Sequence, residues 1–598
     1  MRFTTRPEIK GTFGAVATTH WIASAVGMRM LEAEGSAADA AAAAGFALHV
    51  VEPHLNGPLG DMPAMVWPPG ADAPDVICGQ GVAPAAATPD HYRREGLDFI
   101  PGSGLLATVV PGAFDAWMVL LRDHGRLPLE DVLAPAIHYA RHGHPVLPGV
   151  SSTIAGLAAF FRDEWPTSFE TWCPGGRAPE PWSLFRNPAL ADAWDRLLAE
   201  TAGEADRAAC IEAARRVFRQ GFVAEAIDAW MREACVMDAA GGRRRGVLTG
   251  ADLAGWEATV ERPVAGGYRG WEVFKPGFWS QGPVQLQALA SLEGTGIDGD
   301  DPCGDAFVHK VAEALKLAMA DREAFYGDHP DVPADVLLSA AYADERRGLI
   351  GEAASHDQRP GAIPGRAAWA EAMRARARAG GAGEGGVGGG EPTMAHLTGR
   401  RGDTVHVDAV DRWGLMVSAT PSGGWLQSSP VVPGLGMPLN SRAQMFWLED
   451  GSPSSLAPGR RPRTTLSPSM ARAPDGTRLA YGTPGGDQQD QWQTILLLRL
   501  AQDGTGGGAD LQAAIDAPLF HTGHVQASFW PRGLRPGHLM VEPSFGEDVI
   551  DALRARGHAV EVSEPWAVGR LCATARGADG VVRAAATPRL MQAYAVGR

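Results

Sequence analysis

Residues Gly399-Arg400-Arg401-Gly402-Asp403-Thr404-Val405-His406-Val407-Asp408-Ala409-Val410 change character within a few positions. Upstream, 380–390 read Gly-Gly-Ala-Gly-Glu-Gly-Gly-Val-Gly-Gly-Gly, the composition of a flexible coil that cannot form a core. From Thr404 the pattern alternates, which predicts a strand. Asp411-Arg412-Trp413-Gly414 predicts a turn and Leu415–Ala419 the return strand. A long structureless stretch that delivers the chain straight into a hairpin is unusual in a compact fold. It fits a chain that is cut between Asp403 and Thr404. A threonine hydroxyl is a weak nucleophile, and no base stands beside Thr404 in the sequence. Cutting would give Thr404 a free α-amino group, with an ordinary pKa of about 7.7–8.0, as an on-site general base.

The second half of that chemistry lies downstream. Gly482-Thr483-Pro484-Gly485-Gly486 precedes a segment with Trp492, Leu496 and Leu500 at helical spacing. Consecutive glycines before a helix can expose backbone N–H groups at its positive end, where a developing oxyanion would be stabilised. The competing reading of each feature is structural: a threonine that merely begins a strand, and a Gly-Gly pair that merely makes a turn.

Working outward, Gly14-Ala15-Val16-Ala17 predicts a strand, and Ile22, Val26 and Met30 predict a helix. Gly35 is expected in the left-handed position that ends that helix. Ser36 and Asp39 read as a capping box for a small-faced helix over Ala37–Val50. Leu55–Gly60 reads as a loop. The middle third predicts helices over Ala113–His124, Leu129–Arg141, Glu204–Phe218 and Ala306–Ala324, and 367–379 reads as a solvent-facing helix. Towards the end, Leu539–Val541, Asp548–Arg556, Ala559–Val562 and Val581–Ala586 alternate strand and helix.

Composition sets the limits. With 598 residues, 45% hydrophobic and 20% charged, the chain is long enough for a large core and is not globally disordered. The 53 basic against 69 acidic residues give a net charge of −16, so no nucleic-acid or anionic-membrane footprint is expected. No apolar run reaches the length of a membrane span, and the polar start, Met1 to Lys10, lacks a signal-peptide core. A cytoplasmic location is therefore the expectation. The six cysteines are scattered, with no CxxC. GxSxG, P-loop and HExxH motifs are all absent. His521-Thr522-Gly523-His524 and His142-Gly143-His144 are weak metal candidates, and Arg401-Gly402-Asp403 reads as a chance tripeptide.

Five motifs, in order, carry a resemblance over nearly the whole chain. They are Gly35 with Asp39-Ala40-Ala41 and Val51-Glu52-Pro53-His54; Pro111-Gly112 with Gly125-Arg126-Leu127-Pro128 and Leu133-Ala134-Pro135-Ala136; Gly402-Asp403-Thr404-Val405-His406; Arg461-Pro462 to Ser467-Pro468; and Gly482-x-Pro484-Gly485-Gly486. Together they resemble the γ-glutamyltransferase family of N-terminal-nucleophile hydrolases. The resemblance implies an α+β fold, a four-layer αββα sandwich. It implies a proenzyme cut into a large subunit, 1–403, with a flexible Gly-rich tail over about 380–403, and a small subunit, 404–598. The two would stay together as a heterodimer, with further dimerisation left open. Thr404 would be the nucleophile, Ser422 its supporting hydroxyl, and Gly485 and Gly486 the oxyanion donors. No metal or cofactor is implied.

The sequence departs from the family where the substrate binds. The segment Ala83-Pro84-Ala85-Ala86-Ala87-Thr88 precedes an arginine in typical members, and here precedes Pro89. The three positions that grip the γ-glutamyl amine read Gly424, Arg442 and Met445, and the paired serines read Thr464-Thr465. A site without acids holds an ammonium group poorly, and Arg442 can favour a carboxylate through a charge-assisted pair. Arg442-Ala443-Gln444-Met445-Phe446 resembles the branch with oxamate amidohydrolase and cephalosporin-acylase-like members. The expected substrate is thus a small-molecule amide of an acidic acyl group, oxamate-like or glutaryl-like. A competing reading has Arg442 pairing with a structural acid. The alternative functions are a true γ-glutamyltransferase or glutathione hydrolase with a rearranged pocket, and a non-catalytic binding protein on this scaffold.

Overall fold

A computed structural model describes residues 3–380, 394, 403–503 and 509–598. Most of the expected glycine-rich tail, including 381–393 and 395–402, lies outside the described residues. Two antiparallel sheets of seven strands form the centre. One runs, in spatial order, Tyr594–Gly597, Gly14–Thr18, Val407–Asp411, Met416–Ala419, Met62–Trp67, Asp75–Gly79 and Thr259–Glu261. The other runs Ile9–Gly11, Val582–Ala586, Cys572–Arg576, Arg478–Gly482, Ser469–Arg472, Trp271–Lys275 and Val264–Tyr268. Strands from both sides of Asp403–Thr404 interleave in each sheet.

Strand alternation sorts side chains into layers. In the first sheet Ala15, Ala17, Met65, Trp67, Val410 and Met416 face the second sheet, while Val16, Ala64, Val66, Val407, Ala409 and Val417 face outward. That outer face is covered by the helices Trp21–Glu32 and Ala37–Val51, the latter buried along its whole length. Its alanines and Gly45 let it pack closely. In the second sheet Met470, Ala480, Cys572 and Ala584 turn inward. Leu479, Tyr481, Ala573 and Ala585 meet the helices Pro283–Leu292, Asp305–Phe325 and Gln489–Gln502. The order is helix, sheet, sheet, helix, a four-layer αββα sandwich. Between the sheets Trp67 and Phe274 meet edge to face at 5.2 Å. Removing a ring as fully buried as Trp67 costs about 3–5 kcal/mol.

Most expected elements are present within a residue or two, and the Ser36–Asp39 capping box is formed. One expectation is corrected. The left-handed residue after the first helix is Glu34, at φ +66, not Gly35. Glycine is needed at 35 for space: a Cβ there would lie 2.7 Å from the Met30 carbonyl oxygen and 2.8 Å from Leu127. The helix Ala367–Ala379 also buries Ala370, Met373 and Arg376, so it faces solvent on one side only. Among the described residues no helix is long and apolar enough to cross a membrane.

Candidate active site

The hairpin Val407–Asp411/Met416–Ala419 fixes the site. Asp411 Oδ1 closes its turn by accepting from the backbone N–H groups of Trp413, Gly414 and Leu415 at 2.9–3.0 Å. The register pairs Val407 with Ala419. Extended past the strand ends, the same register sets Thr404 opposite Ser422, and these two form an antiparallel bridge. Ser422 is gripped from its other side by Asp61, through two backbone hydrogen bonds of 2.9 Å. Gly60 permits that approach, since a Cβ there would lie 2.1 Å from the Ser422 carbonyl oxygen. Thr404 is fully buried and Asp403 nearly so.

A hydroxyl chain runs over the Asp403–Thr404 peptide. Thr404 Oγ1 donates to Ser422 Oγ at 3.1 Å, and Ser422 Oγ donates to the Asp403 carbonyl oxygen at 3.1 Å. The Thr404 hydroxyl is thus linked to the Asp403 carbonyl through Ser422. Gly485 also reaches Asp403, but its N–H donates to the side-chain Oδ1, at 2.7 Å. The Arg570 guanidinium forms an ion pair with the same carboxylate. Gly485 has φ +135, and a Cβ there would lie 2.3 Å from the Trp492 ring, so no other residue fits. Gly486, at φ +58, begins the short turn that leads into the helix Gln489–Gln502, and its carbonyl accepts from Gln281 Nε2 at 2.9 Å. His406 lies behind the strand between Thr420 and Asp408, at 3.1 and 2.9 Å. Burial pushes the Asp408 carboxyl above its usual range, opposed by His406.

A cleft of about 670 Å³ opens onto Asp403, with Arg570, His54, Trp182, Trp492 and Met591 in its walls. Beside it Glu52 is fully buried and accepts from Thr19 Oγ1 at 2.8 Å and from Gln592. Burial raises its pKa to about 8, against the pull of Thr19 and Arg570. Burial lowers Arg570 to about 10, against the pull of Glu52.

The expected substrate residues are placed as follows. Arg442 is fully buried, its Nε donates to Asp61 Oδ1 at 2.8 Å, and its guanidinium lies 5.1 Å from the centre of the Trp425 ring. Burial raises the Asp61 pKa, and Arg442 opposes it. Met445 ends the same short turn, Arg442–Met445. Gly424, at φ +63, packs its carbonyl against Gly57. Thr464 pairs with Ser280 and its Oγ1 accepts from the Leu466 N–H at 3.3 Å. Thr465 Oγ1 is buried without a hydrogen-bond partner among the described residues. Pro89 begins the short helix Pro89–Arg94. Arg570 and Asp61 were not singled out from sequence, because no local motif marks either.

Of the two weak histidine candidates, His524 uses Nδ1 to accept from the Gly537 N–H at 2.9 Å, and His144 sits in a two-residue strand paired with Phe185. Among the described residues the group with metal-ligand geometry is His309, Glu313 and His558, outside the Thr404 site. Its Glu313 carboxylate is already held by Lys316 at 2.6 Å and Arg359 at 2.8 Å.

The family model for gamma-glutamyltranspeptidase matches residues 23–597. The Acylase ACY 1 proenzyme of a Pseudomonas species is 32% identical over 591 residues, 96% of this chain and 92% of that protein. The oxamate amidohydrolase proenzyme of Klebsiella pneumoniae is 31% identical, covering 97% of each. The solved structure of LmbA2991HD superposes with a TM-score of 0.93 at 53% identity, covering the whole of both chains. With its motifs, its four layers and this match from end to end, the chain belongs to the gamma-glutamyltranspeptidase family, enzymes with the N-terminal-nucleophile hydrolase fold.

Proposed function

We propose that the protein is a self-processing amidohydrolase that cleaves amides of an acidic acyl group through an acyl-threonine intermediate. The observation that carries this reading is the Thr404–Ser422–Asp403 hydroxyl chain across the peptide to be cut. In processing, Thr404 Oγ attacks the Asp403 carbonyl carbon, the C–N bond breaks as the ester forms, and water hydrolyses the ester. The products are subunits 1–403 and 404–598, held together as a heterodimer by their shared sheets. In turnover the freed Thr404 amine takes the hydroxyl proton, Thr404 Oγ attacks the substrate carbonyl, and the protonated amine leaves. Water then releases the acyl group. Ser422 and the Gly486 N–H are the donors proposed for the developing oxyanion, since the Gly485 N–H is taken by the Asp403 carboxylate in the uncut chain.

Acidity of the acyl group is supported by Gly424, Arg442 and Met445, which supply no carboxylate for a substrate amine. It is supported also by the oxamate amidohydrolase relative. Thr464 and Thr465 are proposed to line the same region. The test is the processed enzyme against a γ-glutamyl anilide, a glutaryl anilide and oxamate. Preference for the γ-glutamyl substrate would reject the acidic-acyl reading.

A further inference from the structure

The Thr404 hydroxyl attacks one carbonyl during self-cleavage and another during turnover. A shared place for the two carbonyls lets one set of oxyanion donors serve both steps. On that placement the groups around Asp403 in the uncut chain surround the acyl chain of a bound substrate. The Asp403 side chain is nearly inaccessible, its carboxylate ion-paired with Arg570 and accepting the Gly485 N–H at 2.7 Å.

We propose that Arg570, with the Gly485 N–H, is the subsite for the acyl carboxylate, and that it fits an acyl chain of succinyl length. This rests on the reading of Thr404 as nucleophile. From its carbonyl carbon, Asp403 continues through Cα and Cβ to a carboxylate, the carbon skeleton of a succinyl group. Oxalyl places its carboxylate directly on the attacked carbon and falls short of Arg570. Glutaryl carries one methylene too many and must buckle. Arg570 is in the wall of the cleft, so a substrate can reach it once Asp403 is released. The neighbouring acid, Glu52, stays protonated to about pH 8 and leaves the guanidinium in need of an anion. Arg442 is a poorer candidate, because its Nε is committed to the buried Asp61.

The experiment compares oxalyl, malonyl, succinyl, glutaryl and uncharged butyryl p-nitroanilides on processed enzyme. The expected kcat/KM is highest for succinyl and falls on either side. Arg570→Gln is expected to lower succinyl turnover roughly 10–150-fold, the range for a hydrogen bond to a charged group, and to lower butyryl turnover far less. Arg570→Lys should recover part of the loss. Because Arg570 also holds Asp403, the glutamine variant can fail to process. Free succinate on wild-type enzyme then serves instead, and should compete with substrate better than malonate or glutarate. A flat length profile, a maximum at another length, or equal losses for succinyl and butyryl would overturn the Arg570 subsite and leave the amidohydrolase intact. Turnover of none of these amides would remove the amidohydrolase reading and the subsite with it.

Discussion

Arg442 and Asp61 form an ion pair in full burial, Nε to Oδ1 at 2.8 Å, directly behind the backbone that carries Ser422. Asp61 exchanges both of its backbone hydrogen bonds with Ser422, so the pair braces the supporting hydroxyl as well as its own loop.

Arg442→Gln should therefore act on stability before substrate. It strands a buried carboxylate, which costs about 3–5 kcal/mol. Asp61→Asn combined with Arg442→Gln should restore a large part of that. Denaturant unfolding of both variants in the uncut Thr404→Ala background measures it. Unchanged stability in Arg442→Gln, with turnover of acidic substrates selectively lost, would instead make Arg442 a substrate ligand.

Wild-type protein should run as two bands, of 403 residues and of the remaining 195 of 598. Sequencing of the smaller should begin Thr-Val-His. Thr404→Ala should stay a single 63.0 kDa chain without activity. Thr404→Ser, which keeps a hydroxyl and gains the same amine, should cleave and turn over in part. Cleavage at this bond in the alanine variant would show that Thr404 is not the nucleophile.

Ser422→Ala removes the hydrogen bond to the Asp403 carbonyl oxygen. Loss of one oxyanion-type donor slows acyl transfer on the order of 10²-fold. The time course of fragment appearance should lengthen by about that factor, and Ser422→Thr, which keeps the hydroxyl, should lie between. An unaltered time course in the alanine variant would leave the bridging hydroxyl without a role in processing.

Glu52 gives a pH signature. Its pKa is raised from an ordinary 4.5 to about 8, so between these values the folded state holds a proton that the unfolded state has lost. Its contribution to stability is complete below pH 4.5 and is lost as pH rises through about 8. Above 8 the carboxylate would also compete with substrate for Arg570. The KM for an acidic substrate should rise there, and Glu52→Gln should flatten both the KM rise and that part of the stability profile. A KM rise that persists in the glutamine variant would assign it to another group, such as the Thr404 amine.

What was legible in the sequence was local. The alternation from Thr404 and the turn at Asp411–Gly414 define a hairpin, and its register alone sets Thr404 opposite Ser422. Gly485-Gly486 was legible as a glycine pair before a helix, and at Gly485 the requirement is steric, since φ is +135 and a Cβ would lie 2.3 Å from the Trp492 ring. Asp61 and Arg570 were not legible. Each meets its partner across more than 160 residues, through the closing of a loop or a sheet, and a single charge in a loop has no period to betray it. Gly35 shows a subtler limit. Its type was informative, but crowding by Met30 and Leu127, rather than helix termination, sets the requirement.

The interleaving of strands from before and after Asp403 would make cleavage at that bond an irreversible step in assembly. While the chain is whole, bringing Val407–Asp411 between Gly14–Thr18 and Met416–Ala419 is an intramolecular search. Once the bond is cut, the same arrangement demands that two separate chains find each other, neither with a complete sheet of its own. Recovery from denaturation would then depend on protein concentration and compete with aggregation through exposed strand edges. The severed enzyme would owe its lifetime to the height of its unfolding barrier, having given up the route by which it was first assembled.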